Sequence, residues 1–226
     1  MPGTPHPLDP LTADEISLAA AILRRDQGVN ERWRFASIEL REPSKRIVGA
    51  FSAGDPIRRE AVVICWNRDD GQVFKAVVAL GDDRVLAWEH QPDGQPNMTV
   101  DEFHECDATL RRDPRVIDAL ASRGISDMDR VLIDTWAYGA HLVPEVHRGG
   151  RVGWADVWYR SQEGSSPYAN PVTGLHFVVD LNRMELLEIE EDGGVDEPAT
   201  MGEYVPHLVP GQRQREDLKP LEIVQP

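Results

Sequence analysis

Seven histidines are the residues best suited to metal or acid–base chemistry, but no two stand as His-x-His or His-x-x-x-His, and the nearest pair is His141 and His147. A metal site would have to be gathered from distant donors, so surface or strand-end positions are expected for all seven. Nucleophile patterns are missing too: there is no Gly-x-Ser-x-Gly elbow, and neither Cys65 nor Cys106 has a local catalytic signature. No Gly-rich loop runs into a helix to cradle a phosphate; Arg148-Gly-Gly-Arg-Val reads as a hairpin turn, where Gly-Gly has a geometric reason to occur. The carboxylates from Glu185 to Asp192 alternate with Leu186, Leu187 and Ile189, the pattern of a solvated edge strand rather than an acid–base pair.

Aromatic residues offer more. Trp154 and Trp158 are evenly spaced and share one face of a strand, with Trp136 on the strand before, which suits an aromatic core or an interface; core is the expectation. Tyr168 differs, because Pro167-Tyr-Ala-Asn-Pro171 places an aromatic between prolines in a loop with no sheet to bury it. Tyr168 is the first candidate for an exposed functional contact.

Charge limits the partners. A net charge of −15 and a pI near 4.8 work against nucleic acid and anionic membranes, both polyanions, and favour a cationic small molecule or a basic protein patch. No segment approaches the ~20 apolar residues of a membrane span, and the start, Met-Pro-Gly-Thr-Pro-His-Pro, has neither a basic region nor an apolar run. A cytoplasmic location is expected. Two cysteines do not make a disulfide framework and are expected as reduced core residues.

The elements that must position these residues are announced by a repeat. Thr12-Ala-Asp-Glu-Ile through Leu23-Arg-Arg-Asp26 recurs 87 residues later as Thr99-Val-Asp-Glu-Phe through Leu110-Arg-Arg-Asp113, which indicates two similar domains. Each copy reads as a helix: a Thr cap with Glu three residues on, acids at the start and an Arg pair near the end. Ile16, Ala20 and Leu23 in one copy, and Phe103, Cys106 and Leu110 in the other, form its apolar face. Four strands follow each copy, at Glu31–Arg41 (bulged where the alternation slips), Glu60–Trp66, Gln72–Leu80 and Arg84–His90, then at Val131–Tyr138, Arg151–Arg160, Leu175–Asp180 and Glu185–Glu191. Ser44–Pro56 reads as a loop, and Asp113-Pro114 opens a second helix in the second domain. The predicted class is α+β, with helices on four-stranded antiparallel sheets. The expected divisions are a first domain at 1–96, a second at 97–206 and a Pro-containing connector at 207–226.

The residues also resemble a family. His6-Pro-Leu-Asp-Pro-Leu-Thr-Ala-Asp-Glu-Ile16 is similar to the opening of the copper- and topaquinone-dependent primary amine oxidases; Pro167-Tyr-Ala-Asn-Pro-Val-Thr-Gly-Leu175, with Val-Val-Asp-Leu-Asn-Arg-Met-Glu-Leu-Leu after it, resembles a stretch of that family's small third domain; and Leu218-Lys-Pro-Leu-Glu-Ile-Val-Gln-Pro226 resembles the linker into its catalytic domain. Three matches in the right order span the chain. The resemblance implies two cystatin-like domains at the periphery of a catalytic β-sandwich, in a homodimeric enzyme that converts primary amines to aldehyde, ammonia and hydrogen peroxide with copper and topaquinone.

By the same resemblance, Tyr168 lies at the mouth of the substrate channel, and Phe103, Thr135 and Trp136 join it through a looser, gapped alignment. Asn170 and Thr173 stand where the family more often has His and an acidic residue. Neither Asn-Tyr-Asp/Glu, the source of topaquinone, nor the copper-binding His-x-His occurs. The chain alone is therefore expected to bind neither cofactor and to oxidise no amine, its role being to dock on a catalytic domain and shape the substrate entrance. The alternative is a stand-alone binding module for a cationic ligand or protein.

Overall fold

A computed structural model describes residues 6–92, 94–139, 141–193, 203–209, 211 and 217. Helix α1 (Ala13–Gln27) begins where the Thr12 hydroxyl accepts from the Glu15 N–H at 3.2 Å and the Glu15 carboxylate accepts from the Thr12 N–H at 2.9 Å. It ends at Gly28, whose φ of +69° is the left-handed conformation that glycine adopts without strain. Ala19, Ala20, Ile22 and Leu23 are its buried residues. Ile16, expected on that face, is 38% exposed, because burial starts only one turn further along, at Ala19.

Four strands follow: β1 (Trp33–Leu40), β2 (Glu60–Asn67), β3 (Val73–Ala79) and β4 (Arg84–His90), paired antiparallel in that order. The expected slip in β1 is a register shift between Phe35 and Ser37. Between β1 and β2 the structure corrects the sequence reading, for Lys45–Ala50 forms a short helix, α2, rather than a loop. Ser44 accepts from the N–H groups of Ile47 and Val48, yet α2 buries none of its residues, so no apolar periodicity betrays it. Ala61, Val63, Ala76 and Val78 face α1 and form the first core.

The second domain repeats the layout. Helix α3 (Val100–Leu110) starts at Thr99, whose N–H and hydroxyl both donate to the Glu102 carboxylate. Helix α4 (Pro114–Ala121) has Asp113 as its cap and Pro at its first position. Strands β5 (Val131–Ala137), β6 (Val152–Tyr159), β7 (Pro171–Asp180) and β8 (Glu185–Glu191) again pair antiparallel in sequence order. Strand β7 begins four residues before the expected Leu175, with a proline at the first position of the strand. The Arg148-Gly-Gly segment is not a tight hairpin; it ends a long β5–β6 connection that contains a 3-10 turn at Glu145–His147. Cys106, Leu110, Val116 and Leu120 from the helices meet Ile133, Ala155, Val157, Leu175, Phe177 and Val179 from the sheet. Both cysteines are free and buried, as expected.

The domains are joined by more than the chain. Gln95, in the connecting segment, donates from its side-chain amide to the Gly150 carbonyl at 3.1 Å and accepts from the Val152 N–H at 3.4 Å. Trp66 of β2 is fully buried, with the Arg151 guanidinium 4.2 Å from its ring centre. Of the expected connector at 207–226, only 207–209, 211 and 217 fall among the described residues.

Candidate functional site

Side chains alternate across a strand, and in the second sheet the alternation sorts chemistry from core. Val131, Ile133, Ala155 and Val157 point to the helices. Asp134, Trp136, Trp154, Asp156 and Trp158, at the other parity, stand on the face that no helix covers among the described residues, and His176 joins them from β7. The register sets Asp134 opposite Asp156, Trp136 opposite Trp154 and Asp156 opposite His176. One end of this face is sealed by Val143 of the β5–β6 connection, which packs on Val152 and Val178. Along the edge strand β5, Trp136 is 56% exposed, and Trp158 marks the other end.

Tyr168 rises beside that end. It occupies a 3-10 turn, Pro167–Ala169, whose Pro167 and Ala169 are buried while Tyr168 is 48% exposed. Its ring meets Trp158 edge-on, with centroids 5.1 Å apart, and its hydroxyl hydrogen-bonds to Asp134. Phe103, in the first turn of α3, meets Trp136 edge-on at 5.8 Å. Three of the four residues named from the sequence therefore stand around one face.

Thr135 does not join them. It lies at the core parity, is fully buried, and its hydroxyl is 3.2 Å from the Cys106 sulfur under α3. A neighbour in sequence on a strand is on the opposite face, so Trp136 and Thr135 cannot line the same surface. The expected core placement of Trp154 and Trp158 is corrected for the same reason. Sequence reasoning also passes over Asp134, Asp156 and His176, although a signal is present: Asp134-x-Trp136 and Trp154-x-Asp156-x-Trp158 put acids and aromatics on one parity and Val, Ile and Ala on the other.

The electrostatics suit a cation. Burial raises the pKa of Asp134, the Tyr168 hydrogen bond opposes this, and the facing Asp156 charge raises it further. Tyr168 is raised as well, first by burial and then by Asp134. His176 stacks on Trp154 at 4.5 Å, with Nδ1 3.2 Å from the Asp156 carboxylate. Carboxylates set among aromatic faces attract ammonium groups both by charge and by the ring quadrupole. Elsewhere, burial holds the Cys65 and Cys106 thiols up at about 12 and about 11, where they are poor nucleophiles.

Metal chemistry finds no matching donor set. Among the described residues, no group of three or more His, Cys, Asp or Glu side chains is placed to hold an ion. His147 and His176 each approach a single carboxylate, Glu188 and Asp156. These described residues do not fit a copper centre.

Comparison with known proteins gives matches over most of the chain. Residues 6–91 match the family model described as copper amine oxidase, N2 domain, and residues 101–203 match copper amine oxidase, N3 domain. A primary amine oxidase of Arthrobacter sp. (strain P1) is 39% identical over 225 residues, which is 99% of this chain and 34% of that protein. The peroxisomal N-methylputrescine oxidase 1 of Nicotiana tabacum is 30% identical, over 99% of this chain and 33% of its own. Among solved structures, a copper-containing benzylamine oxidase from Hansenula polymorpha superimposes with a TM-score of 0.72 at 19% identity, covering 98% of this chain and 37% of that one. The chain thus spans about a third of the length of the curated relatives it matches.

Proposed function

Because the chain belongs to the copper amine oxidase family, of which it carries the non-catalytic N2 and N3 domains, we propose that it docks on a catalytic domain and lends the open face of its second sheet to the entrance taken by a primary amine. The observation that carries this reading is the grouping of exposed Tyr168 and Trp136 with Asp134 and Asp156 on the face opposite the helices of the second domain. A primary amine is an ammonium ion at neutral pH, and this face meets it with carboxylates and ring surfaces. In the whole protein, copper and topaquinone would be held by residues outside this chain, and the assembly would be a homodimer. The helix-on-sheet domains fit the cystatin-like description, and buried reduced thiols go with a cytoplasmic setting.

The test uses an intact oxidase that carries this chain. Tyr168→Ala and Trp136→Ala are expected to raise KM for primary amines several-fold with little change in kcat, the mark of lost substrate guidance rather than lost chemistry. Unchanged KM for small and bulky amines alike would overturn the reading. A second reading, a stand-alone module for a cationic ligand, draws on the same exposed face. Calorimetric titration of the isolated chain with methylammonium separates the two, since only a stand-alone module binds it tightly without a catalytic partner. The isolated chain supplied with copper, oxygen and a primary amine is expected to release no hydrogen peroxide.

A further inference from the structure

Helix α3 is held from two sides. On one side, Cys106 and Leu110 enter the second core. On the other, Glu105 reaches the first domain, where each carboxylate oxygen accepts from a different guanidinium: Arg34 of β1 at 2.5 Å and Arg68, just past β2, at 2.6 Å. Arg34 also lies 4.0 Å from Asp101. One residue before Phe103, Glu102 is fully buried and pairs with Arg151, whose guanidinium is pressed against the ring of Trp66 from the first domain. Burial pulls Arg151 below the ordinary arginine range, and the Glu102 charge opposes that pull. Three guanidiniums and three carboxylates thus meet at the domain boundary.

Phe103 is itself uncharged, yet its position depends on these groups. It lies between Glu102 and Glu105 on the same helix and stands against Trp136 at the rim of the open face. A helix turns about 100° per residue, so rotating α3 to relax its charged side would swing Phe103 off Trp136. We infer that Arg34 and Arg68 of the first domain, together with Arg151 and Trp66, are positioning residues that fix the orientation of α3 and thereby set Phe103 at the aromatic rim. The first domain acts on that face through α3 without contributing a side chain to the face's aromatic and acidic group. The link from Phe103 to ligand passage rests on the proposed function; the positioning itself does not.

The experiment reads the indole N–H resonances of the full chain by NMR, with that of Trp136 assigned by its loss in Trp136→Phe. Arg34→Gln with Arg68→Gln is expected to move the Trp136 resonance while leaving Trp154 and Trp158 in place. Glu105→Gln alone, which removes both pairs at once, is expected to move it the same way, and combining all three changes should add nothing further, since one interaction is being broken. If Trp136 keeps its resonance in Glu105→Gln and in the double variant, the positioning inference is wrong. Should the double variant fail to fold, the resonance in Glu105→Gln decides the question by itself. In the intact oxidase the same variants are expected to change KM for primary amines by roughly 2- to 30-fold, the usual reach of indirect coupling. Movement of Trp136 with KM unchanged would support the positioning and count against the proposed function.

Discussion

In the first domain Trp33, Phe74 and Trp88 stack together, Phe74 on Trp88 at 4.6 Å, on the side of the sheet where α1 lies. In the second domain Trp136, Trp154 and Trp158 occupy the opposite side, the one left open. The uncovered part of the first sheet is aliphatic and charged instead, a shallow hollow between Arg41, Val62, Lys75, Val77 and Glu89. Helix, strand order and antiparallel pairing are shared, so topology cannot account for the difference. Parity does. A set of aromatics moved by one residue along a strand passes from core to surface, and acids at the same parity turn that surface into a cation-seeking one.

The two helices diverge in the same manner, and the largest expected effect tests it. Glu15 and Glu102 occupy the same place in the repeat, but Glu15 pairs with Arg59 near the surface while Glu102 is buried against Arg151. Glu102→Ala strands a buried guanidinium and should cost about 3–5 kcal/mol, whereas Glu15→Ala, which loses a part-buried pair and a helix cap, should cost less, about 1–2 kcal/mol. Urea unfolding of both variants decides it, and equal losses would erase the distinction between the copies. Gly153→Ala comes next. An added Cβ would lie 2.8 Å from both Thr135 and Leu181, and a loss of about 1–3 kcal/mol is expected from overpacking on the core side of the second sheet.

Acid should discriminate between the domains more gently. Arg59 holds the Glu15 carboxyl down at about 2, so its contribution is complete above the ordinary carboxylate range near 4.3 and fades as pH falls toward about 2. Thermal melts across that window should show a smaller acid-induced loss in Glu15→Gln than in the parent chain. Smallest of all is Tyr168→Phe, which removes a hydroxyl from Asp134 at a half-exposed position and should alter stability by less than about 1 kcal/mol. A much larger loss would mean that Tyr168 belongs to the core of its domain and not to the open face.

How much of this is legible in the sequence depends on whether a feature writes itself into local spacing. The capped helices, the β1 bulge and seven of the eight strands can be placed because caps and alternation are short-range signals. Helix α2 escapes because nothing in it is buried, and the early start of β7 escapes because Pro171 looks like a loop residue. Tyr168 stands out between its prolines. Asp134, Asp156 and His176 do not, since only the pairing of β5 with β6 and of β6 with β7 brings them together. Alignment sets Thr135 beside Trp136, and the pleat divides them. Arg34, Arg68 and Arg151 are as charged and as ordinary in sequence as any other arginine, and their role exists only at a boundary between domains.

The segment between the domains bears on how the chain behaves when cut. Its Gln95 side chain bonds to Gly150 and Val152 at the start of β6, and the Pro96 carbonyl accepts from Arg151. A linker held in this way is a strap, and the contacts it would otherwise have to enforce are already made by Trp66, Arg34 and Arg68. A protease that nicks it just before Gln95 should therefore release nothing: the two fragments should separate in denaturing gels yet migrate as one particle in native buffer. Connectivity and cohesion are distinct properties in this molecule.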